Sequence, residues 1–440
     1  MKIIIAGAGK VGFELARSLS NDHDVTVIDK NAEALERLSE LIDIYPVTGD
    51  IENPATYRTL LNDAADVFIA VTDSDEANIL STLLANESVK IGRKIIRLRN
   101  SYFEQSQFLA TIGDLERIFP SRLSAETVRL LLDYPAANNV KQFSKTDTKL
   151  ISIQVDNPNH EEKQVHLFEN DRLKIIGIER DRLFRIPTSD TVVQHGDLLY
   201  FLGDGEVLEH VYGQLDLHMP QQVKSAAVFG ADVLGVEVAR ILIEKGVQVK
   251  VIEKKIDLCR IASDQLQEKA LVINSHYDEA ILYAEEDLGR ADMVITTDRK
   301  DEINIVRALQ AKEHAIPKVI AINNERKYYP LMHQLGLVVT RGPRTSAYYA
   351  ILESIARDAV GERRHFCGGA GVVLARYIAP DSPLIGASLA QWRSEGIVLM
   401  ERAGRLLSGD QIATIEGGDV LFLVVNSSDK KRGSAWIHSL

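Results

Sequence analysis

The run Gly7-Ala8-Gly9-Lys10-Val11-Gly12 has the residue types and spacing of a main-chain anion cradle. It follows the apolar, β-branched stretch Ile3–Ala6 and leads into the amphipathic stretch Phe13–Leu19, so it occupies a strand-to-helix turn. There the first glycine permits the tight turn, the second lets a phosphate approach the backbone, and the third lets helix and strand pack closely. The helix N-terminus adds unpaired N–H groups and the positive end of its dipole. Asp29 ends the next strand at the expected distance of about 20 residues, where a carboxylate accepts hydrogen bonds from a ribose diol. These seven positions read as a nucleotide site.

Asp29 narrows the ligand, because a carboxylate repels a 2′-phosphate and disfavours NADP. NAD(H), ATP and ADP all carry an adenosine ribose, and the residues do not separate them. Asp50 in "VTGD" follows the third strand and either lines the adenine end or caps a turn. Thr72 and Asp73 end the fourth strand, where strand order reverses, and border the ligand crevice. Asn78 either touches ligand or lies on a helix surface. Arg97 and Arg99 lie two apart on the fifth strand and share a face, so they call for an anionic partner: phosphates or a partner's carboxylates.

The elements that position these residues occur twice. "GAGKVGFELAR" (7–17) is matched by "GADVLGVEVAR" (230–240), "VTVIDK" by "VKVIEK", "DVFIAVTDSDEANIL" by "DMVITTDRKDEINIV", and "KIIRLRN" by "KVIAINN". Each copy alternates apolar strands with amphipathic stretches such as Ala32–Ile42, which implies a parallel sheet covered on both faces, a doubly wound Rossmann-type domain. In the second copy Asp232 replaces the phosphate-approaching glycine, Glu253 keeps the ribose position, and Ala321 and Asn323 stand in for Arg97 and Arg99. A second site there, at Glu253, is therefore weak or structural.

Residues 140–213 and 365–428 alternate polar and apolar positions, with hairpin turns at "ERDRLF" and "ERAGRL" and a shared "GDLLYFL"/"GDVLFLV" strand. The expected organisation is a Rossmann domain over 1–135, a small β-rich module over 140–213, a second Rossmann domain over 223–358 and a second module over 365–428. An amphipathic helix over 121–135 puts Leu123, Val128, Leu131 and Leu132 on one face, for pairing with another helix or for packing within its own subunit.

Bulk properties set the outer limits. The 440 residues exceed a single core, and a net charge of −12 argues against a nucleic-acid binder. Cys259 and Cys367 lie far apart without metal-ligand spacing, which points to small buried residues in a reducing compartment. Met1-Lys2 runs directly into a strand, which leaves no room for a signal peptide, and no apolar run approaches the roughly 20 residues of a membrane span. A cytoplasmic protein is expected. A dehydrogenase would need a substrate domain with a general acid or base, yet the eleven histidines are scattered and no Walker motif is present.

The motifs "MKIIIAGAGKVG", "VTVIDK", "TGD", "AVTDSDEANI", "IIRLRN" and "SPLIGASL…GDVLFLV", together with the duplication, resemble the TrkA family over nearly the whole chain. These are the peripheral nucleotide-binding subunits of bacterial Trk potassium-uptake systems. The resemblance implies two tandem RCK (KTN) units, each a Rossmann domain followed by a small α+β C-terminal module. It implies no catalysis, but a homo-oligomeric ring, a tetramer, on the inner face of the membrane. Binding of NAD(H), ATP or ADP would gate a potassium-translocating subunit of the TrkH or TrkG type. The family's binding residues carry over onto Gly7, Gly9, Gly12, Asp29, Asp50, Thr72 and Asp73. Arg97 and Arg99 become phosphate-facing candidates, and Lys10 is placed to reach a neighbour's nucleotide. The competing reading is an NAD-dependent oxidoreductase with an unrecognised substrate site.

Overall fold

The computed structural model describes residues 1–58, 60, 64–158, 162–181, 183–215, 222–275, 282–355, 361–388, 396–408 and 414–429. The expected domain end at 358 falls outside them. Chain order begins with strands β1 (Lys2–Ala6), β2 (Asp24–Asp29), β3 (Tyr45–Thr48), β4 (Ala65–Ala70), β5 (Ile91–Arg97) and β6 (Leu115–Ile118), which form one parallel sheet in the order β3-β2-β1-β4-β5-β6. Helices α1 (Lys10–Leu19), α2 (Ala32–Leu41), α3 (Pro54–Arg58), α4 (Asp75–Ser88), α5 (Gln107–Ala110) and α6 (Pro120–Asp133) are interleaved. Alternation along β1 explains the two covered faces. Ile3 and Ile5 join Leu15 of α1 in one core, while Ile4 and Ala6 join Phe68 and Ala85 in another.

The first β-rich module follows: β7 (Asn139–Phe143), β8 (Thr146–Gln154), β9 (Leu173–Arg180), β10 (Leu183–Arg185), β11 (Leu198–Gly203) and the closing helix α7 (Gly205–Leu215). Its sheet is antiparallel, in the order β10-β9-β11-β8-β7. The second parallel sheet contains β12 (Ser225–Phe229), β13 (Gln248–Glu253), β14 (Ala270–Asn274), β15 (Met293–Thr296), β16 (Lys318–Asn323) and β17 (Val338–Arg341), in the order β14-β13-β12-β15-β16-β17. Its helices are α8 (Val233–Glu244), α9 (Ile256–Leu266), α10 (Leu282–Glu285), α11 (Asp301–Glu313), α12 (Tyr329–Gln334) and α13 (Pro343–Ile355). The last module, β18 (Gly361–Phe366), β19 (Gly371–Tyr377), β20 (Ile397–Arg402), β21 (Arg405–Ser408) and β22 (Val420–Asn426), repeats the first in the order β18-β19-β22-β20-β21. In both modules a buried aspartate anchors the hairpin arginine through two bonds, Asp197 to Arg180 and Asp419 to Arg402.

The two halves pack reciprocally. Helix α6 of the first unit lies against α8 of the second, and α13 of the second lies against α1 of the first. Val128 and Leu131 are buried in this contact, whereas Leu123 is exposed. The apolar face of 121–135 thus finds its helix partner within the same chain. Each helix end also meets a cation from the opposite sheet. Lys318 donates to the carbonyls of Leu131 and Pro135, and Arg93 donates to that of Ser354, which complements the negative end of each helix dipole. The modules share a core in which Phe143 meets Phe422 and Tyr200 meets Phe366, with ring centroids 5.2 and 4.9 Å apart. Cys259 is buried as expected. Cys367 is only partly so, because it sits in the tight β18–β19 turn with φ +48° beside a cavity.

Candidate nucleotide site

The first loop takes the expected turn. Gly7 has φ +113°, a left-handed value that disfavours any side chain, and its N–H donates to the Ile28 carbonyl at 2.8 Å. A Cβ on Gly12 would lie 1.9 Å from the Gly7 carbonyl oxygen, so the third glycine is required for α1 to start against β1. Gly9 differs. A Cβ there would meet nothing within 4 Å, and no side chain caps α1, whose first amides are left open. Asp29 accepts from the Ala8 amide at 2.6 Å and from the Asn31 amide at 2.8 Å. It fixes the loop to the end of β2, and each oxygen keeps a lone pair for a further donor.

This loop forms one wall of a cleft of about 850 Å3 whose other wall comes from the second unit. Lys10, Arg17, Arg37, Lys327 and Arg344 line it against only two acids, Glu14 and Glu325. The cleft is basic in a chain of net charge −12. Lys10 Nζ lies 2.8 Å from Glu325 Oε1, and Lys327 reaches Glu325 Oε2 at 2.9 Å. These two ammonium groups hold the Glu325 carboxyl down to about 2. Lys10 therefore bridges the two units of its own chain, whereas the resemblance implies a reach towards a neighbouring subunit's nucleotide.

Other expected residues are not in the lining of this cleft, although Thr72 lies against Gly7. Asp50 is exposed and takes the turn-capping alternative, its Oδ1 accepting from the Glu52 amide at 3.0 Å. Arg97 ends β5 and Arg99 lies beyond it, so they do not share a strand face. Arg97 is 6% exposed and finds its anion within its own unit, donating to Asp73 at 3.0 Å and to the Thr72 carbonyl at 3.1 Å. Arg99 donates to the Asp73 carbonyl. With Asp232, Arg299 and Arg344, the residues Asp73, Arg97 and Arg99 line a second, narrower crevice between the units, which adjoins the cleft at Gly9 through the shared Asn324 and Arg344.

Asn78 is neither ligand-facing nor on the surface. It is fully buried and joins the ends of β4 and β5, accepting from Thr72 and donating to the Arg97 carbonyl. Asp75 receives the amides of Arg99 and Asn100 in the same way. Asn304 and Asp301 repeat the arrangement on Asp298, Ile322, Asn324 and Glu325. The signal was present in "DEANI" and "DEINI", since D-E-x-N recurs in both copies. This bonding also corrects the register: Ile322 and Asn324, not Ala321 and Asn323, stand where Arg97 and Arg99 do.

In the second unit the seat is filled. Asp232 caps α8, accepting from the Leu234 and Gly235 amides at 3.1 and 3.3 Å, and Arg299 Nε lies 3.2 Å away. Glu253 is buried and accepts from the Ala231 and Lys255 amides.

The family model of the TrkA-N domain matches this chain twice, over residues 3–113 and 226–340. The chain belongs to the TrkA family. A Trk system potassium uptake protein TrkA homolog from Archaeoglobus fulgidus is 32% identical over 357 residues, 79% of each chain. The Trk system potassium uptake protein TrkA of Halomonas elongata is 25% identical over 98% of this chain and 97% of its own. Among solved structures, the GsuK RCK domain superposes with a TM-score of 0.61 at 18% identity, covering 100% of this chain and 95% of that one. This TrkA-family chain thus has the fold of tandem RCK units, with both TrkA-N matches falling on the parallel sheets.

Proposed function

We propose that this chain is the nucleotide-responsive regulatory subunit of a Trk-type potassium-uptake system, carrying NAD(H), ATP or ADP at the first glycine loop. The observation that carries this reading is the uncapped start of α1 at Gly9, open to a basic cleft. The residues fit such a ligand. The amides of Gly9, Lys10 and Val11 and the cations around them would hold phosphate, and Asp29 would accept from ribose, with Gly7 and Gly12 shaping the turn. A bound nucleotide supplies negative charge and a diol and requires no chemistry of the protein. Structures titled as the GsuK channel bound to NAD and GsuK bound to ADP support the same ligand classes on a similar fold.

The chain's own residues then couple the loop to the rest of the molecule. Lys10 ties the loop to Glu325 of the second unit, so cleft occupancy and the arrangement of the two units share one contact. That coupling would gate a membrane potassium-translocating subunit of the TrkH or TrkG type from a cytoplasmic homo-tetramer on the inner membrane face. The functional division is 1–135, 140–213, 223–358 and 365–428. Among the described residues no helix is long and apolar enough to cross a membrane, so the pore belongs to the partner in this reading.

Calorimetric titration of the full chain with NADH, ATP and ADP tests the site. Saturable binding of at least one, lost in Asp29→Ala, is expected; heat from none of them overturns the reading. Steady NADH turnover with added carbonyl substrates would instead establish the oxidoreductase.

A further inference from the structure

Away from the nucleotide cleft, a cavity of about 40 Å3 lies where the second parallel-sheet unit meets both β-rich modules. Asn139 and Lys141 of β7 and Ser152 of β8 form one side, and Thr340 and Arg341 of β17 with Tyr349 of α13 form the other. Three buried oxygens here, Asn139 Oδ1, Ser152 Oγ and Thr340 Oγ1, have no hydrogen-bond partner among the described residues. Ser152 and Thr340 are 2% and 1% exposed, so bulk water does not serve them.

The same walls carry two basic side chains, Lys141 and Arg341. Among the described residues neither comes within 4.0 Å ion-pair distance of a carboxylate, and Glu353 acts on both from farther away. Arg341 rests its guanidinium 3.8 Å from the Tyr349 ring centroid and donates to the His365 carbonyl. Glu353 pairs more closely with Arg364 at 3.5 Å and His365 at 3.6 Å. Glu179 is taken by the Tyr200 hydroxyl and the Cys367 thiol. Burial, reinforced by Arg341, pushes the Lys141 ammonium well below its usual value. Unpaired hydroxyls, the Arg341 guanidinium and a Lys141 amine whose charged form burial disfavours share one small cavity, and an anion there would accept from the hydroxyls and favour the charged form of Lys141.

We propose that this cavity binds a small inorganic anion, held by Lys141 and Arg341 with the Ser152 and Thr340 hydroxyls as donors. A half-turn of the Asn139 amide brings a third neutral donor inward. The volume holds a halide or compact oxyanion and excludes a nucleotide. Because its walls come from three parts of the chain, occupancy would stiffen the second unit against the modules, independently of the Gly9 loop.

The test is thermal unfolding of the full chain in sodium chloride against sodium gluconate at matched ionic strength, gluconate being too large to enter. A saturable stabilisation specific to chloride is expected. Crystals soaked in sodium bromide should show an anomalous peak in the cavity. Lys141→Met should weaken the chloride response by about tenfold or more. If that variant fails to fold, Thr340→Val, which keeps side-chain shape and both cations, should still weaken it. Coincident chloride and gluconate curves, a cavity holding only water in bromide, or an unchanged response in Thr340→Val would each overturn the proposal.

Discussion

The two glycine loops share one backbone and differ in what meets the helix. The residue before α1, Gly9, has φ −66° and ψ −175°, and Asp232 before α8 has φ −74° and ψ −177°. Gly7 and Gly230 match at φ +113° and +117°. Each loop is pinned by an acid from the second strand, Asp29 on Ala8 and Glu253 on Ala231. In the second unit the Asp232 carboxylate sits on the helix amides and Arg299 balances it. A free helix N-terminus is a cost to the fold and an opportunity for a ligand. One unit meets that cost with its own side chain, and the other leaves the seat open.

The most severe break of the comparison is at the shared element. Gly12→Ala and Gly235→Ala would place a Cβ 1.9 and 2.0 Å from the carbonyl oxygens of Gly7 and Gly230. Each should lose about 3 kcal/mol of stability, read as a fall in melting temperature. The two losses should be equal, and tolerance in one unit alone would show that the loops are not equivalent.

Gly9→Asp sharpens the comparison by transplanting the second loop into the first. The backbone is already in the cap conformation and a Cβ there has room, so stability should hold or rise by a few tenths of a kcal/mol. Nucleotide affinity in calorimetry should fall about 100-fold, some 2.7 kcal/mol. Asp232→Ala is the mirror. It removes a cap and should cost about 1 kcal/mol in thermal unfolding while leaving nucleotide binding intact. A parallel loss of nucleotide binding would place the functional seat in the wrong unit.

Local patterns made much of this legible. The glycine turn, the acid at the end of the second strand and the tandem repeat depend on residues close in the chain, and Asp232 stood out because it breaks its own repeat. What lay hidden depends on the meeting of distant segments. Glu325 and Arg344 carry no motif, yet they reach the first loop because α13 crosses onto α1. Arg97 and Arg99 signalled a need for negative charge correctly, but Asp73, 24 residues from Arg97, met it inside the unit. One residue of drift between β5 and β16 also displaced the repeat alignment, which only the paired bonds of Asn78 and Asn304 restore.

The smallest effect is an ion pair to the opposite unit, which the first loop makes through Lys10 and Val233 of the second cannot make. Glu325 titrates at about 2 in the folded chain against an ordinary 4.5, because Lys10 and Lys327 hold its charged form. A depressed carboxyl stabilises the fold above its unfolded value and loses that contribution as pH falls from about 4.5 towards 2. Lys10→Met should therefore flatten the acid limb of the stability profile in that window, with Lys327 retaining part of it. Val233 occupies the equivalent place at the start of α8 and carries no charge, so Val233→Ala should leave the same limb unchanged. Equal flattening in both variants would mean that the acid limb does not report the first loop at all. Flattening in Lys10→Met alone would show that the open loop is also the one electrostatically tied to the opposite unit.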